Sequence, residues 1–72
     1  MNKEIKRMIA MTEVVDEICA TQGKEKDCVW YDRAFDCIVI RFLDNTGTCI
    51  DFHDFMKRVW KKEAQLECIG CY

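Results

Sequence analysis

The 72-residue chain has no proline and no serine, only three glycines and a single histidine. Without serine there is no serine nucleophile, and without proline no turn is built on a fixed φ. Glycine is too sparse for a phosphate-binding loop, and one histidine excludes a helical His-Glu-x-x-His zinc site. No apolar run approaches the roughly 18 residues of a membrane span. The stretch from Met8 to Met11, behind Lys3, Lys6 and Arg7, is too short for a signal peptide. Charge of one sign is also missing: 11 basic residues face 13 acidic ones, for a net charge of −2. The total therefore demands neither nucleic acid nor anionic lipid. These absences predict a non-enzymatic cytoplasmic protein with no membrane association, no cofactor and no bound metal. His53, a cysteine and an aspartate can be drawn as a nucleophilic triad. A chain this short leaves little room for a substrate pocket beside it.

What is there is globular. Half the residues are apolar and a third are charged, a composition that folds rather than one that stays disordered. One domain over residues 1–72 is expected, ending in a cysteine-containing tail at 68–72. A chain of this size buries only about 60% of its unfolded surface, so its stability margin is thin. Six cysteines are present: Cys19, Cys28, Cys37, Cys49, Cys68 and Cys71. An even count suggests disulfides only in a secretory setting, which the sequence does not announce. Cys19 falls on the apolar arc of a helix pattern, and Cys37 and Cys49 alternate with strand residues. They read as small hydrophobes with free thiols. Cys68-Ile69-Gly70-Cys71 has the spacing of half a zinc site, but no second pair is present to complete it.

The hydrophobic periods give five elements. Residues 3–21 form an amphipathic helix, with Ile5, Met8, Ile9, Met11, Val15, Ile18 and Cys19 on one arc. Gly23 is placed to end it in the left-handed conformation. Residues 27–32 and 35–43 read as strands. In the second, Ile38, Ile40 and Phe42 point one way, and Phe35, Cys37, Val39 and Leu43 the other. Asp44-Asn45-Thr46-Gly47 is a hairpin turn, expected as a three-residue loop with left-handed Gly47. That register sets Phe42 opposite Ile50, Leu43 opposite Cys49, and Arg41 opposite Asp51. Residues 52–67 form a second helix, with Phe52, Phe55, Met56, Val59, Trp60 and Leu66 along one face and Gly70 as an end cap. Asp51 has two available roles, as helix N-cap with Asp54 in a capping-box position or as strand partner of Arg41.

The resulting fold class is α+β. The order is α-β-β-β-α, with a three-stranded antiparallel meander packed by two helices, since both strand connections are too short for a crossover. If both helices share one side, the second sheet face carries Cys37, Val39, Leu43 and Cys49 uncovered, a candidate interface for a partner or a homodimer. If the helices split, both faces are covered.

Charge placement separates the two helices. The second follows its dipole, with Asp51 and Asp54 at the start and Lys57, Arg58, Lys61 and Lys62 further along. The first opposes its dipole. Lys3, Lys6 and Arg7 lie at its start, and Glu13, Asp16 and Glu17 near its end. On the helix alone that arrangement contributes nothing to folding, so the three carboxylates read as an acidic knob for a basic partner.

Two resemblances follow from this order. The α-β-β-β-α arrangement and length are similar to the double-stranded-RNA-binding domain. Lys61-Lys62-Glu63-Ala64 is the nearest counterpart of its Lys-Lys-x-Ala-Lys motif, although Gln65 replaces the last lysine and the segment lies two turns late. This resemblance implies phosphate binding by Lys57, Arg58, Lys61 and Lys62. In size, element order and mild acidity, the whole chain also resembles small phage-encoded inhibitors of host defence of the anti-CRISPR type. That resemblance implies a host protein as partner, a nucleic-acid-binding nuclease complex for example, within the host-cell cytoplasm. It also implies carboxylates standing where phosphates would lie, with Glu13, Asp16, Glu17, Asp32, Asp36 and Asp44 as the candidates. The leading expectation is such an inhibitory interaction module; the nucleic-acid binder is its alternative.

Overall fold

A computed structural model describes the backbone of residues 2–70 and the side chains of residues 2–66. The chain runs α1 (Lys3–Gln22), β1 (Lys26–Asp32), β2 (Cys37–Phe42), β3 (Gly47–Asp51) and α2 (Phe52–Gly70). The strands form one antiparallel sheet in the order β1-β2-β3. This is the expected α+β meander. The Cys68 and Cys71 pair lies outside the described side chains.

Each end of α1 is closed by local chemistry. Asn2 Oδ1 accepts the Glu4 amide at 2.7 Å, relieving one orphan donor of the first turn. At the other end Gly23 adopts φ 66°, ψ 32°. The Gly23 amide donates to the Ala20 carbonyl, and the Lys24 amide to the Cys19 carbonyl. That pair of bonds is a Schellman closure, and it needs a residue free to enter the left-handed region.

Both helices pack on the same side of the sheet. Ala10, Val14, Val15 and Cys19 of α1, Ile38, Ile40 and Phe42 of β2, and Phe55 and Val59 of α2 form one buried cluster, with Ile18, Ile50, Met56 and Leu66 packed against it. No polar side chain is buried among the described residues. The apolar arc of α1 is rotated from its expected centre. Ala10 and Val14 are wholly buried, whereas Ile5, Met8 and Met11 remain exposed. Helix length accounts for Ile5 and Met8, whereas Met11, next to wholly buried Ala10, is turned outward by the rotation itself. A 20-residue helix extends about 30 Å, whereas a six-residue strand covers only about 20 Å. The N-terminal turns of α1 therefore overhang the sheet. On α2, Phe52 and Trp60 are similarly left at the margin of the core.

The second hairpin differs from expectation in register. Ile38 faces Ile50, Val39 faces Cys49, Ile40 faces Thr48 and Arg41 faces Gly47. The loop has the expected three residues, but they are Leu43, Asp44 and Asn45. It is closed by the Phe42 amide on the Thr46 carbonyl and the Asn45 amide on the Phe42 carbonyl. The left-handed residue is Asn45, at φ 68°, not Gly47. Gly47 serves a different need. A Cβ there would stand 3.1 Å from the Ile40 carbonyl oxygen. Leu43 and Phe35 consequently fall in turns rather than in β2. In the first turn, Asp32 Oδ1 accepts the amides of Ala34 and Phe35, Asp36 is left-handed, and the Tyr31 hydroxyl donates to Asp36 Oδ1 at 2.6 Å. That carboxylate holds the proton on Tyr31 and raises its pKa above the ordinary phenol value.

Asp51 is the N-cap of α2. Its Oδ2 accepts the His53 amide at 3.0 Å and the Asp54 amide at 3.3 Å. Its cross-strand neighbour is Cys37, not Arg41.

Candidate protein-interaction surface

With both helices on one side, the other face of the sheet is left open. Strand pairing arranges it in three cross-strand rows of three. Cys28, Arg41 and Gly47 form one end row; Trp30, Val39 and Cys49 form the middle; Asp32, Cys37 and Asp51 form the other end. The alternation that buries Ile38, Ile40 and Phe42 necessarily sends these residues outward. Trp30 is 44% exposed in the middle row, and Phe35, beside the acidic end row, is 80% exposed. Asp32, Phe35, Cys37, Val39, Cys49 and Asp51 border a shallow hollow on this face. Leu43 is 59% exposed in the turn beyond Arg41.

The face is polarised along the strands. Arg41 stands at one end, and its nearest polar contact is Asn45 Oδ1 at 3.5 Å. Asp32 and Asp51 stand at the other. Each commits one oxygen to backbone amides, Asp32 Oδ1 to its turn and Asp51 Oδ2 to the start of α2. Each second oxygen has no partner among the described residues. Cys37 is buried at this end. Burial, followed by the adjacent Cys49 thiol, pushes its pKa up, which keeps it a neutral and unreactive thiol. Cys19, Cys28, Cys37 and Cys49 are all free, and no metal-ligating group is formed among the described residues.

The carboxylates proposed from sequence do not form one patch. Glu17 bridges to Arg58, at 3.3 Å, and to Lys62; Lys62 first, then Arg58, hold its carboxyl below the usual range. Asp44 accepts the Thr46 hydroxyl and amide and pairs with Lys24 at 3.3 Å, which lowers its pKa. Asp32 and Asp36 are engaged in the first turn. Glu13 and Asp16 remain exposed on α1 with no ion pair among the described residues. The reversed charge order of α1 thus has a structural account that the isolated helix lacks, because Arg7 pairs with Glu63 and Glu17 with Arg58 and Lys62. Of the four basic candidates, Arg58 and Lys62 turn toward Glu17, leaving Lys57 and Lys61 exposed on α2. This network escaped sequence reasoning. Its one visible sign is the i,i+4 spacing of Arg58 and Lys62, which lets both cations reach a single carboxylate on a neighbouring helix.

Comparison with protein families, with characterised proteins and with solved structures finds no match. No helix among the described residues is long and apolar enough to cross a membrane.

Proposed function

We propose that the chain is a small non-enzymatic protein-interaction module, of the inhibitory kind that its size and element order resemble, and that it makes its main contact through the helix-free sheet face. The observation that carries this reading is the row Trp30, Val39 and Cys49. It is an apolar strip across all three strands, uncovered by either helix and flanked by charge at both ends. An apolar centre with an aromatic anchor and a polar rim is the anatomy of a protein contact surface. In the inhibitory form of the reading, Glu13 and Asp16 supply the charge that steers a basic partner. The sharing of Arg58 and Lys62 with Glu17 argues for protein rather than phosphate as the partner.

The test is affinity capture from a bacterial lysate with the immobilised wild type and with Val39→Lys, which places a charge in the middle of the face. Bound proteins, including further copies of the chain itself, are identified by mass spectrometry. Proteins held by the wild type and released by the variant support the reading. Retention that Val39→Lys leaves unchanged would overturn it, as would retained nucleic acid that is lost on replacing Lys57 and Lys61 by Gln.

A further inference from the structure

We infer that the open sheet face pairs with a second copy of itself. The two sheets stack face to face about a two-fold axis that runs across the strands through Trp30, Val39 and Cys49. This rests on the reading of that face as a contact surface and names its occupant. Two-fold symmetry demands a self-complementary patch. The face meets that demand because its two ends differ in sign about a neutral, apolar middle row. Half a turn about the middle row reverses the strand direction and leaves each strand over its own copy. Residues whose numbers on β2 lie equally far from Val39 then come opposite one another.

Arg41 consequently meets the row holding the partner's Asp32 and the partner's Asp51. Those carboxylates each keep one oxygen without a partner among the described residues, and Arg41 has only a 3.5 Å contact to Asn45. Phe35 and Leu43, exposed in the turns at either end, lie four positions on each side of Val39. The same operation sets the turn that carries Phe35 at the end of the facing sheet where the partner's Leu43 stands, although neither residue lies on β2 itself. In the middle row Trp30, Val39 and Cys49 each meet their own copy, closing an apolar strip inside two sets of charge pairs. The alternative axis, parallel to the strands, sets Arg41 on the partner's Arg41 and acid on acid, which repulsion disfavours.

Size sets the strength. The three rows span about 14 by 17 Å, so even with the flanking turns the contact is smaller than the roughly 800 Å² per partner of a standard interface, and a weak dimer of roughly micromolar to millimolar affinity is expected.

The experiment is sedimentation equilibrium under reducing conditions, from about 1 μM to about 1 mM to bracket that affinity. It is run on the wild type, on Arg41→Glu, on Asp32→Lys, and on an equal mixture of the two variants. Circular dichroism melting establishes that each variant is folded. The wild type is expected to shift from monomer to dimer across the range. Each variant alone should stay monomeric, because one substitution removes the cation and the other an acid and both create like-charge contacts. The mixture should regain dimer, because in the heterodimer the introduced carboxylate lies beside the introduced ammonium and the remaining Arg41 beside an intact Asp32, while the two contacts to Asp51 offset each other. A wild type monomeric throughout would overturn the inference, and so would variants that still dimerise, as an edge-to-edge pairing of β1 would allow. If either variant fails to fold, Arg41→Gln and Asp32→Asn replace the pair, and dimerisation of both at wild-type strength overturns it. A mixture that fails to regain dimer overturns this axis. Should the wild type stay monomeric while Val39→Lys still releases captured proteins, the contact-surface reading stands and only its occupant changes.

Discussion

Arg58 on the second helix donates to Glu17 on the first, Nη2 to Oε2, at 3.3 Å. With Lys62 on the same carboxylate, this contact joins the two helices and links their packing to the ionised form of Glu17. The Glu17 carboxyl is held below its ordinary pKa by Lys62 and Arg58, and Asp44 is held low by Thr46 and Lys24. A carboxyl depressed in the folded state stabilises it above the unfolded pKa, and that contribution is lost as pH falls through the folded one.

The melting temperature should therefore fall as pH drops through and below the usual carboxylate range. In Glu17→Gln the plateau near neutral pH should be lower and the acid slope shallower. Both positions are exposed, so salt should weaken the difference. Thermal melts across pH at low and high salt check this, and a Glu17→Gln profile parallel to the wild type would contradict it.

Ile40 is central to β2 and has no exposed surface. Ile40→Ala should cost about 2–5 kcal/mol by lost burial and cavity formation, which is comparable to the stability of so small a domain. Denaturant titration measures it. A variant that keeps the wild-type midpoint would mean that this strand does not build the core.

The second turn distinguishes two residues by their backbone needs. Asn45 occupies the left-handed region, so Asn45→Ala should lose about 1 kcal/mol, whereas Asn45→Gly should be neutral or stabilising. Gly47 needs space instead, because an added Cβ meets the backbone oxygen of Ile40 at 3.1 Å. Gly47→Ala should destabilise although its φ lies outside the left-handed range. Comparing the three variants by denaturant titration checks the assignment. Destabilisation by Asn45→Gly larger than by Gly47→Ala would reverse it.

The four described thiols should react in two classes. Cys28 and Cys49 are exposed, while Cys19 and Cys37 are buried, and burial also raises the Cys37 pKa. Alkylation at neutral pH, followed by peptide mapping, should modify Cys28 and Cys49 well before the other two. Early labelling of Cys37 would show that its end of the sheet is open to solvent.

The elements and their faces were legible in the sequence because side-chain alternation is a local property. The Ile38, Ile40 and Phe42 series could only point one way, and Gly23 could only close α1. The pairing of β2 with β3 was not legible. Opposing Phe42 to Ile50 differs from opposing Ile38 to Ile50 by four residues, an even shift that leaves every side chain on the same face. The hydrophobic pattern is blind to such a shift, and the turn decides it. Asn45 and Gly47 both tolerate positive φ, and the choice fell to Asn45 because Asp44 anchors Thr46 and Gly47 is needed beside Ile40. The account of the α1 charge order was not legible for a related reason: the partners of Arg7 and Glu17 are forty or more residues away on α2.

β3 ends at Asp51 and α2 begins at Phe52, with no residue between them. Bending between two elements needs positions that can absorb a change of φ and ψ, and this junction offers none, because Asp51 is both the last strand residue and the cap of the helix. The sheet and α2 therefore behave as a single lever. The connection from α1 to β1 is longer, the three residues Gly23, Lys24 and Glu25, and it is held by the Lys24 amide on the Cys19 carbonyl, the Leu43 amide on the Glu25 carbonyl and Lys24 on Asp44. Releasing Ala10, Val14 and Val15 from the core therefore means breaking those bonds together with the pairs of Glu17 to Arg58 and Lys62 and of Arg7 to Glu63, so α1 is tied to the sheet through α2 as well as through its own connection.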